Sequence, residues 1–194
     1  MLYFNDMKEL KERILSDGVA LEGGILKVDS FINHQMDPQL MMNIAREFVR
    51  RFEAHTIDKI ITIEASGIAP AILVGYILNK PVLFVKKSVP STMSDMICTE
   101  VFSFTKNRSY TVSVSRKYIS AGEKLLFIDD FLANGNAAKG VAEIVSKAGA
   151  TLVGMGFIIE KGFQQGRKTL AHLDLQIESL AIIESLDNCQ IKIR

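Results

Sequence analysis

Two adjacent carboxylates, Asp129 and Asp130, follow the apolar run Leu125-Leu126-Phe127-Ile128 and lead into Phe131-Leu132-Ala133-Asn134-Gly135-Asn136-Ala137. Four apolar residues in a row suit a strand buried on both faces, with the acid pair where that strand should end, outside the apolar core. The small residues from Ala133 to Ala137 suit a tight loop, and a helix follows. Ala137, Val141, Ile144, Val145 and Ala148 fall on one helical stripe, and Gly149 sits where a C-cap glycine belongs. A loop entering a helix offers free N–H groups and a positive dipole end, which suit phosphate. Two carboxylates beside such a loop repel a bare phosphate. They make sense if the ligand also carries a diol or a Mg²⁺ ion, because carboxylates accept hydrogen bonds from hydroxyls and attract cations. A phosphorylated sugar meets both demands. A single Asp or Asn here would more simply cap a helix; the specific signal is the whole order of strand, acid pair, small loop and amphipathic helix.

Three further clusters have chemistry to offer. Glu64-Ala65-Ser66-Gly67 lies between a strand and a helix, a second corner of the anion-binding kind, in which Gly67 permits close backbone approach and Ser66 supplies a hydroxyl. Its plainer reading makes Ser66 a helix cap. Lys86-Lys87 closes another strand, where two cations would attract a diphosphate; a lysine pair there also serves plain solubility. In Glu160-Lys161-Gly162-Phe163, Lys161 can donate to a carbonyl oxygen and Phe163 can stack on a planar ring, although Lys161 could equally be a snorkelling lysine at a sheet edge. His34, His55 and His172 have no metal-ligand spacing, so no protein-held metal is expected.

The elements that must position these residues alternate strand and helix. Met7–Ser16 reads as a short helix and Leu26–Phe31 as an extended piece. Asp37-Pro38 then opens a helix with Asp as N-cap and Pro at its first position, its buried stripe being Leu40, Met41, Ile44, Ala45, Phe48, Val49 and Phe52. Ile57–Ile63, Pro81–Val85, Leu125–Ile128 and Thr151–Ile159 read as strands, with Ile68–Leu78 and the segment to Ala148 as helices between them. This rhythm predicts an α/β fold: an open, mostly parallel sheet flanked by helices. Residues 88–117 break it. Thr111-Val112-Ser113-Val114-Ser115 alternates with period two, Val101, Phe102 and Phe104 form a second extended piece, and Asn107-Arg108-Ser109 is a candidate turn. With the polar approach Ser88-Val89-Pro90-Ser91-Thr92, this reads as a two-stranded ribbon, either a lid or an ordinary hairpin.

The 194 residues suit one domain spanning 1–194. A net charge of +1 gives no bulk reason to expect nucleic acid, and no apolar run approaches the ~20 residues of a membrane span. The N-terminus lacks the basic and apolar regions of a signal peptide, so a cytoplasmic protein is expected. Met93, Met96, Ile97 and Phe102 are more apolar surface than a short ribbon should carry and would mark an interface.

Together with Leu26-Lys27-Val28-Asp29-Ser30-Phe31-Ile32-Asn33-His34-Gln35 and Ile68-Ala69-Pro70, these stretches resemble the type I phosphoribosyltransferases, and among them the branch that uses xanthine. The resemblance runs from about Gly18 to near the C-terminus. It implies displacement of pyrophosphate from 5-phosphoribosyl-1-diphosphate (PRPP), bound with Mg²⁺, by xanthine, giving xanthosine monophosphate in purine salvage. It also implies a homodimer and a fold with an N-terminal hood over about 1–35 and a β-ribbon lid over about 88–117. Carried over by position, Leu26, Asn33 and Lys161 contact the base. Ala133, Asn134, Gly135, Asn136 and Ala137 cradle the 5′-phosphate, Asp129 and Asp130 hold the ribose diol, and Glu64, Ala65, Ser66 and Gly67 hold the pyrophosphate, which Lys87 also attracts. Two departures from the wider pattern stand out. Asn134, Asn136 and Ala137 replace the usual hydroxyl-bearing loop, and Ala133 replaces the aspartate that the hypoxanthine-guanine branch is proposed to use as a base. Hypoxanthine or guanine use is the nearest alternative. A non-catalytic PRPP-sensing regulator is a third, but 194 residues filled by the α/β domain leave little room for a DNA-binding module.

Overall fold

The computed structural model describes residues 7–88, 95–103 and 108–194. In chain order, α1 (Lys8–Asp17) leads into an antiparallel hairpin of β1 (Val19–Leu21) and β2 (Ile25–Lys27). A π-helical turn (Asp29–Asn33) and α2 (Pro38–Arg51) follow. The expected extended piece Leu26–Phe31 is therefore corrected: the strand stops at Lys27, and Phe31 and Ile32 turn inward to full burial. Helix α2 starts as its sequence dictates. The Asp37 Oδ1 accepts from the N–H groups of Gln39 and Leu40, each at 3.1 Å, and Leu40, Met41, Ile44, Ala45 and Phe48 are buried.

Next come β3 (Lys59–Ile63), α3 (Ile68–Leu78), β4 (Val82–Val85), the ribbon of β5 (Met96–Ser103) and β6 (Arg108–Ser115), β7 (Lys124–Leu132) and α4 (Asn136–Lys147). The chain ends with β8 (Thr151–Lys161), α5 (Gly166–Leu170), β9 (Gln176–Ser185) and β10 (Lys192–Ile193). Six strands form one sheet in the order β10-β9-β8-β7-β3-β4, parallel except for β10. β7 and β8 run at least two residues further than expected, to Leu132 and Lys161, so the acid pair lies within β7 rather than after it. β8 is interior to the sheet, which removes the reading of Lys161 as an edge lysine.

One face of the sheet is covered by α1, α2, α3 and the hood hairpin, which share a core including Leu10, Ile14, Phe31, Ile44, Phe48, Val74, Leu126 and Ile158. The other face is covered by α4 and the ribbon. Ile97, Val101, Val112 and Val114 of the ribbon are buried with Val141, Ile144 and Val145 of α4. Two polar ties fasten this contact: the Lys147 Nζ donates to the Cys98 carbonyl at 2.8 Å, and the Thr99 hydroxyl donates to Glu143 at 2.5 Å. The described strands of the ribbon thus borrow a core from α4. Ile97 faces inward and Met96 is half-buried, so the expected exposed patch is corrected to Phe102 alone among its described members. Met93, Phe104, Asn107 and Val89–Thr92 lie outside the described residues.

Candidate active site

The strand order reverses at β3. From β3 the chain passes through α3 to β4 on one side, then returns across β3 to place β7 on its other side. Open α/β sheets bind ligands at the carboxyl ends of the strands flanking such a reversal. Pairing makes the crevice here: the register between β3 and β7 ends at Ile61 with Phe127, whereas β7 stays paired to β8 as far as Leu132 with Glu160. Asp129 and Asp130 therefore lie beyond the last β3 pair, beside the corner Glu64–Gly67. The N-termini of α3 and α4 open on either side.

Asp129 is buried, with 6% of its surface exposed, which corrects the expectation that it stands outside the core. Its Oδ1 accepts from the Asp130 N–H at 3.0 Å, and the Asp130 Oδ1 accepts from the Phe131 N–H at 2.9 Å. Burial pushes the Asp129 carboxyl well above the usual carboxylate range, and the neighbouring Asp130 charge adds to this. Asp130 is raised by burial too, against a hydrogen bond from the Ser66 side chain that favours its charged form. An acid pair held this way is set for hydroxyl or cationic ligands.

In the corner, the Glu64 Oε1 accepts from the Lys87 N–H at 2.5 Å, tying the end of β4 to the end of β3. The Glu64–Ala65 peptide is cis. The Lys87 side chain is exposed, and its charge acts on Asp129 in the sense opposite to burial. A Cβ on Gly67 would lie 2.5 Å from the Asp129 Oδ1, so only glycine lets the corner pass this close to the acid. Across the crevice, Gly135 takes φ +82° immediately before α4. No side chain caps α4, leaving the N–H groups of its first turn for a ligand. The Asn136 side chain is engaged elsewhere: its Nδ2 donates to the Phe102 carbonyl at 2.8 Å, so what Asn136 offers the loop is its backbone.

At the end of β8 the Lys161 Nζ donates to the Gly24 carbonyl at 2.9 Å and lies 5.8 Å from the centre of the Phe131 ring. Half-burial pushes its pKa down. A Cβ on Gly24 would lie 3.4 Å from the Phe163 ring, so the hood turn rests on Lys161 and Phe163 together. Leu26, two residues on, is buried in the core beneath this turn. The Asn33 Oδ1 is buried without a hydrogen-bond partner, the condition of an acceptor awaiting a donor.

With this geometry in view, comparison with known proteins is decisive. No family model matches the chain. A xanthine phosphoribosyltransferase 2 of Clostridium botulinum (strain Hall) is 52% identical over 187 residues, covering 95% of this chain and 98% of the relative. The xanthine phosphoribosyltransferase of Clostridioides difficile (strain 630) is 52% identical over 190 residues, covering 97% and 100%. This chain belongs to the xanthine phosphoribosyltransferases. The Ectopseudomonas mendocina member, at 47% identity over 96% of this chain and 98% of its own, agrees. Among solved structures, the adenine phosphoribosyltransferase of Thermoanaerobacter pseudethanolicus matches with a TM-score of 0.74 at 20% identity, over 89% of this chain and 98% of that one. The Saccharomyces cerevisiae enzyme matches at 0.73 and 21%, over 88% and 97%. At such identity these two speak for the fold.

For a xanthine phosphoribosyltransferase, three features of the site were missed in the sequence reading. Tyr110 of the ribbon reaches close enough to Asp129 for the acid's charge, after burial, to push its phenol up. Thr62 lies buried beneath the corner. The Gly24 carbonyl is the anchor of Lys161. None lies in a recognisable motif, and each meets the site only through pairing or crossover.

Proposed function

We propose that this chain transfers the phosphoribosyl group of Mg²⁺-bound PRPP to xanthine, a purine-salvage reaction. The bond from C1′ to the diphosphate oxygen breaks, a bond from a ring nitrogen of the base to C1′ forms, and xanthosine 5′-monophosphate and pyrophosphate leave. The observation that carries this reading is identity of about one half, over nearly the whole chain, to relatives named for xanthine. The converging acid pair, phosphate loop and anion corner support it.

In this reading Asp129 and Asp130 accept from the ribose hydroxyls and favour the positive charge that grows on the sugar ring as the leaving group departs. The backbone from Ala133 to Ala137 takes the 5′-phosphate, while Glu64 to Gly67 and Lys87 face the diphosphate. Lys161, Asn33 and Phe163 hold the base beneath the hood, beside Leu26. In this reading Mg²⁺ arrives as part of the PRPP substrate, where it offsets leaving-group charge. Ala133 cannot accept a proton. Xanthine, the most acidic of the common oxopurines, can arrive already deprotonated. The ribbon lies over the phosphate loop through the contact of Asn136 with Phe102 and helps exclude water. No described helix is long and apolar enough to cross a membrane. We assign the enzyme to the cytoplasm, where a highly charged sugar diphosphate is available, and to a homodimer.

The test is pyrophosphate release from PRPP with xanthine, guanine, hypoxanthine and adenine in parallel. Xanthine should support the fastest release. A preference for guanine or hypoxanthine would reassign the base, and no release with any base would make the protein a PRPP-binding regulator.

A further inference from the structure

Thr62 of β3 is wholly buried, and its Oγ1 has no hydrogen-bond partner. A hydroxyl in that condition is costly, and valine would fill the same space without the cost. Its surroundings account for it. The Oγ1 closely approaches the point where a Cβ on Gly67 would sit, and the Asp129 Oδ1 approaches the same point from β7 at 2.5 Å. The bare glycine thus lets a buried hydroxyl of β3 and a buried carboxyl of β7 both border one small gap. We infer that Thr62 is a positioning residue for Asp129: in the loaded site its hydroxyl donates to the Asp129 carboxylate and fixes it toward the sugar hydroxyls.

The inference rests on the ribose-binding role given to Asp129 above. Charged and titratable groups face Asp129 from the other elements as well: Asp130 beside it on β7, Lys87 beyond β4, and the Tyr110 phenol of β6. Lys87 favours the anion, whereas Asp130 opposes it. Glu64, in the same corner, is engaged with the Lys87 N–H. An anion in so dry a site is stabilised by each donor it gains, and the Thr62 hydroxyl has no other partner to lose.

The experiment is Thr62→Val, with Thr62→Ser and Asp129→Asn alongside. The Val variant should keep or raise its melting temperature, since it loses an unpartnered hydroxyl. Its kcat/KM for PRPP should fall about ten- to a hundredfold, the usual effect of one hydrogen bond to a charged group. The acid limb of its kcat–pH profile at saturating substrates, which reports the loaded enzyme and belongs to the Asp129–Asp130 pair jointly, should move to higher pH because the charged form has lost a donor. Thr62→Ser should restore both rate and profile. A Val variant with unchanged rate, with a reduced rate but an unmoved acid limb, or with a lost fold would overturn the inference, as would failure of serine to restore it. If Asp129→Asn itself keeps full turnover, the ribose assignment fails instead, and the two failures stay distinguishable.

Discussion

At the residue scale, Asp129 sets function against stability. Burial and the Asp130 charge raise its pKa in the folded state, so the folded protein holds the proton more tightly than the unfolded chain does. The resulting stabilisation is complete below the unfolded value, near pH 4, and is lost as pH rises through the raised folded value. At neutral pH, where the unfolded chain has released this proton, the buried acid is thus a burden that Asn would relieve. Asp129→Asn should melt a few degrees higher at pH 7, at about 2–4 °C per kcal/mol for a chain of this size, with the gain vanishing by about pH 4. Turnover should meanwhile drop about ten- to a hundredfold, for loss of a charge-assisted bond worth roughly 1.5–3 kcal/mol. Melting curves at the two pH values with a single-point assay check both parts, and a variant less stable at pH 7 would contradict the burial argument. Lys161 makes the complementary case. Its contact with the Gly24 carbonyl leaves two N–H donors for a base oxygen. Lys161→Ala should raise the KM for xanthine at least tenfold with little change in PRPP affinity; separate titrations decide it, and equal losses for both ligands would mean the lysine only pins the hood.

Elements rather than residues decide how the site closes. Each buried Ile or Val of the ribbon contributes roughly 1.5–3 kcal/mol, so Ile97, Val101, Val112 and Val114 together oppose detachment of the ribbon from α4. Hydrogen exchange should find these amides protected without ligand. Mg²⁺–PRPP should instead slow exchange in the first turn of α4 and at the corner 64–67, where free N–H groups gain phosphate acceptors. Rapid exchange along Ile97–Val101 in the free protein would restore the picture of the whole ribbon as a moving lid. This is also where the sequence was least legible. Helix α2 announces itself through Asp37-Pro38 and its apolar stripe, and β7 with α4 through a local motif, because their signals are contained within one window. The docking of the ribbon is not local: alternation in Thr111–Ser115 shows a strand, but not that α4 lies beneath it. β9 was missed although it neighbours β8, because Gln176-Ile177-Glu178-Ser179 is polar where it begins. The burial of Asp129 was misjudged for the same reason, since Gly67 and β8 cover it from elsewhere in the chain.

For the whole molecule, the proposed homodimer requires a face that can meet a second copy. Inward packing of Ile97 removes the ribbon as the main candidate and shifts attention to the β4 edge of the sheet. There, Ile72 and Tyr76 of α3 and Phe84 of β4 are exposed, Tyr76 by 77%. A hollow of about 670 Å³ lined by Val82, Phe84, Met96, Val114 and Tyr118 adjoins a second one beside Ile72 and Tyr76, the two sharing Pro81 and Val82. An edge strand bordered by so much apolar surface is one that soluble proteins normally cover. A twofold pairing would bury this face on both copies at once, and it would do so next to Lys86 and Lys87 at the proposed diphosphate end of the site. Sedimentation of the native protein should therefore give twice the 21.6 kDa chain mass at micromolar concentration. Phe84→Asp should lower that mass to one chain and reduce turnover with it. Phe102→Asp, on the ribbon, should leave the mass unchanged and the Asn136 contact intact, because that contact is made by the Phe102 backbone carbonyl, which the substitution keeps. Full activity in a clean single-chain species would show that the site is complete without a partner, and dissociation by Phe102→Asp but not by Phe84→Asp would return the interface to the ribbon.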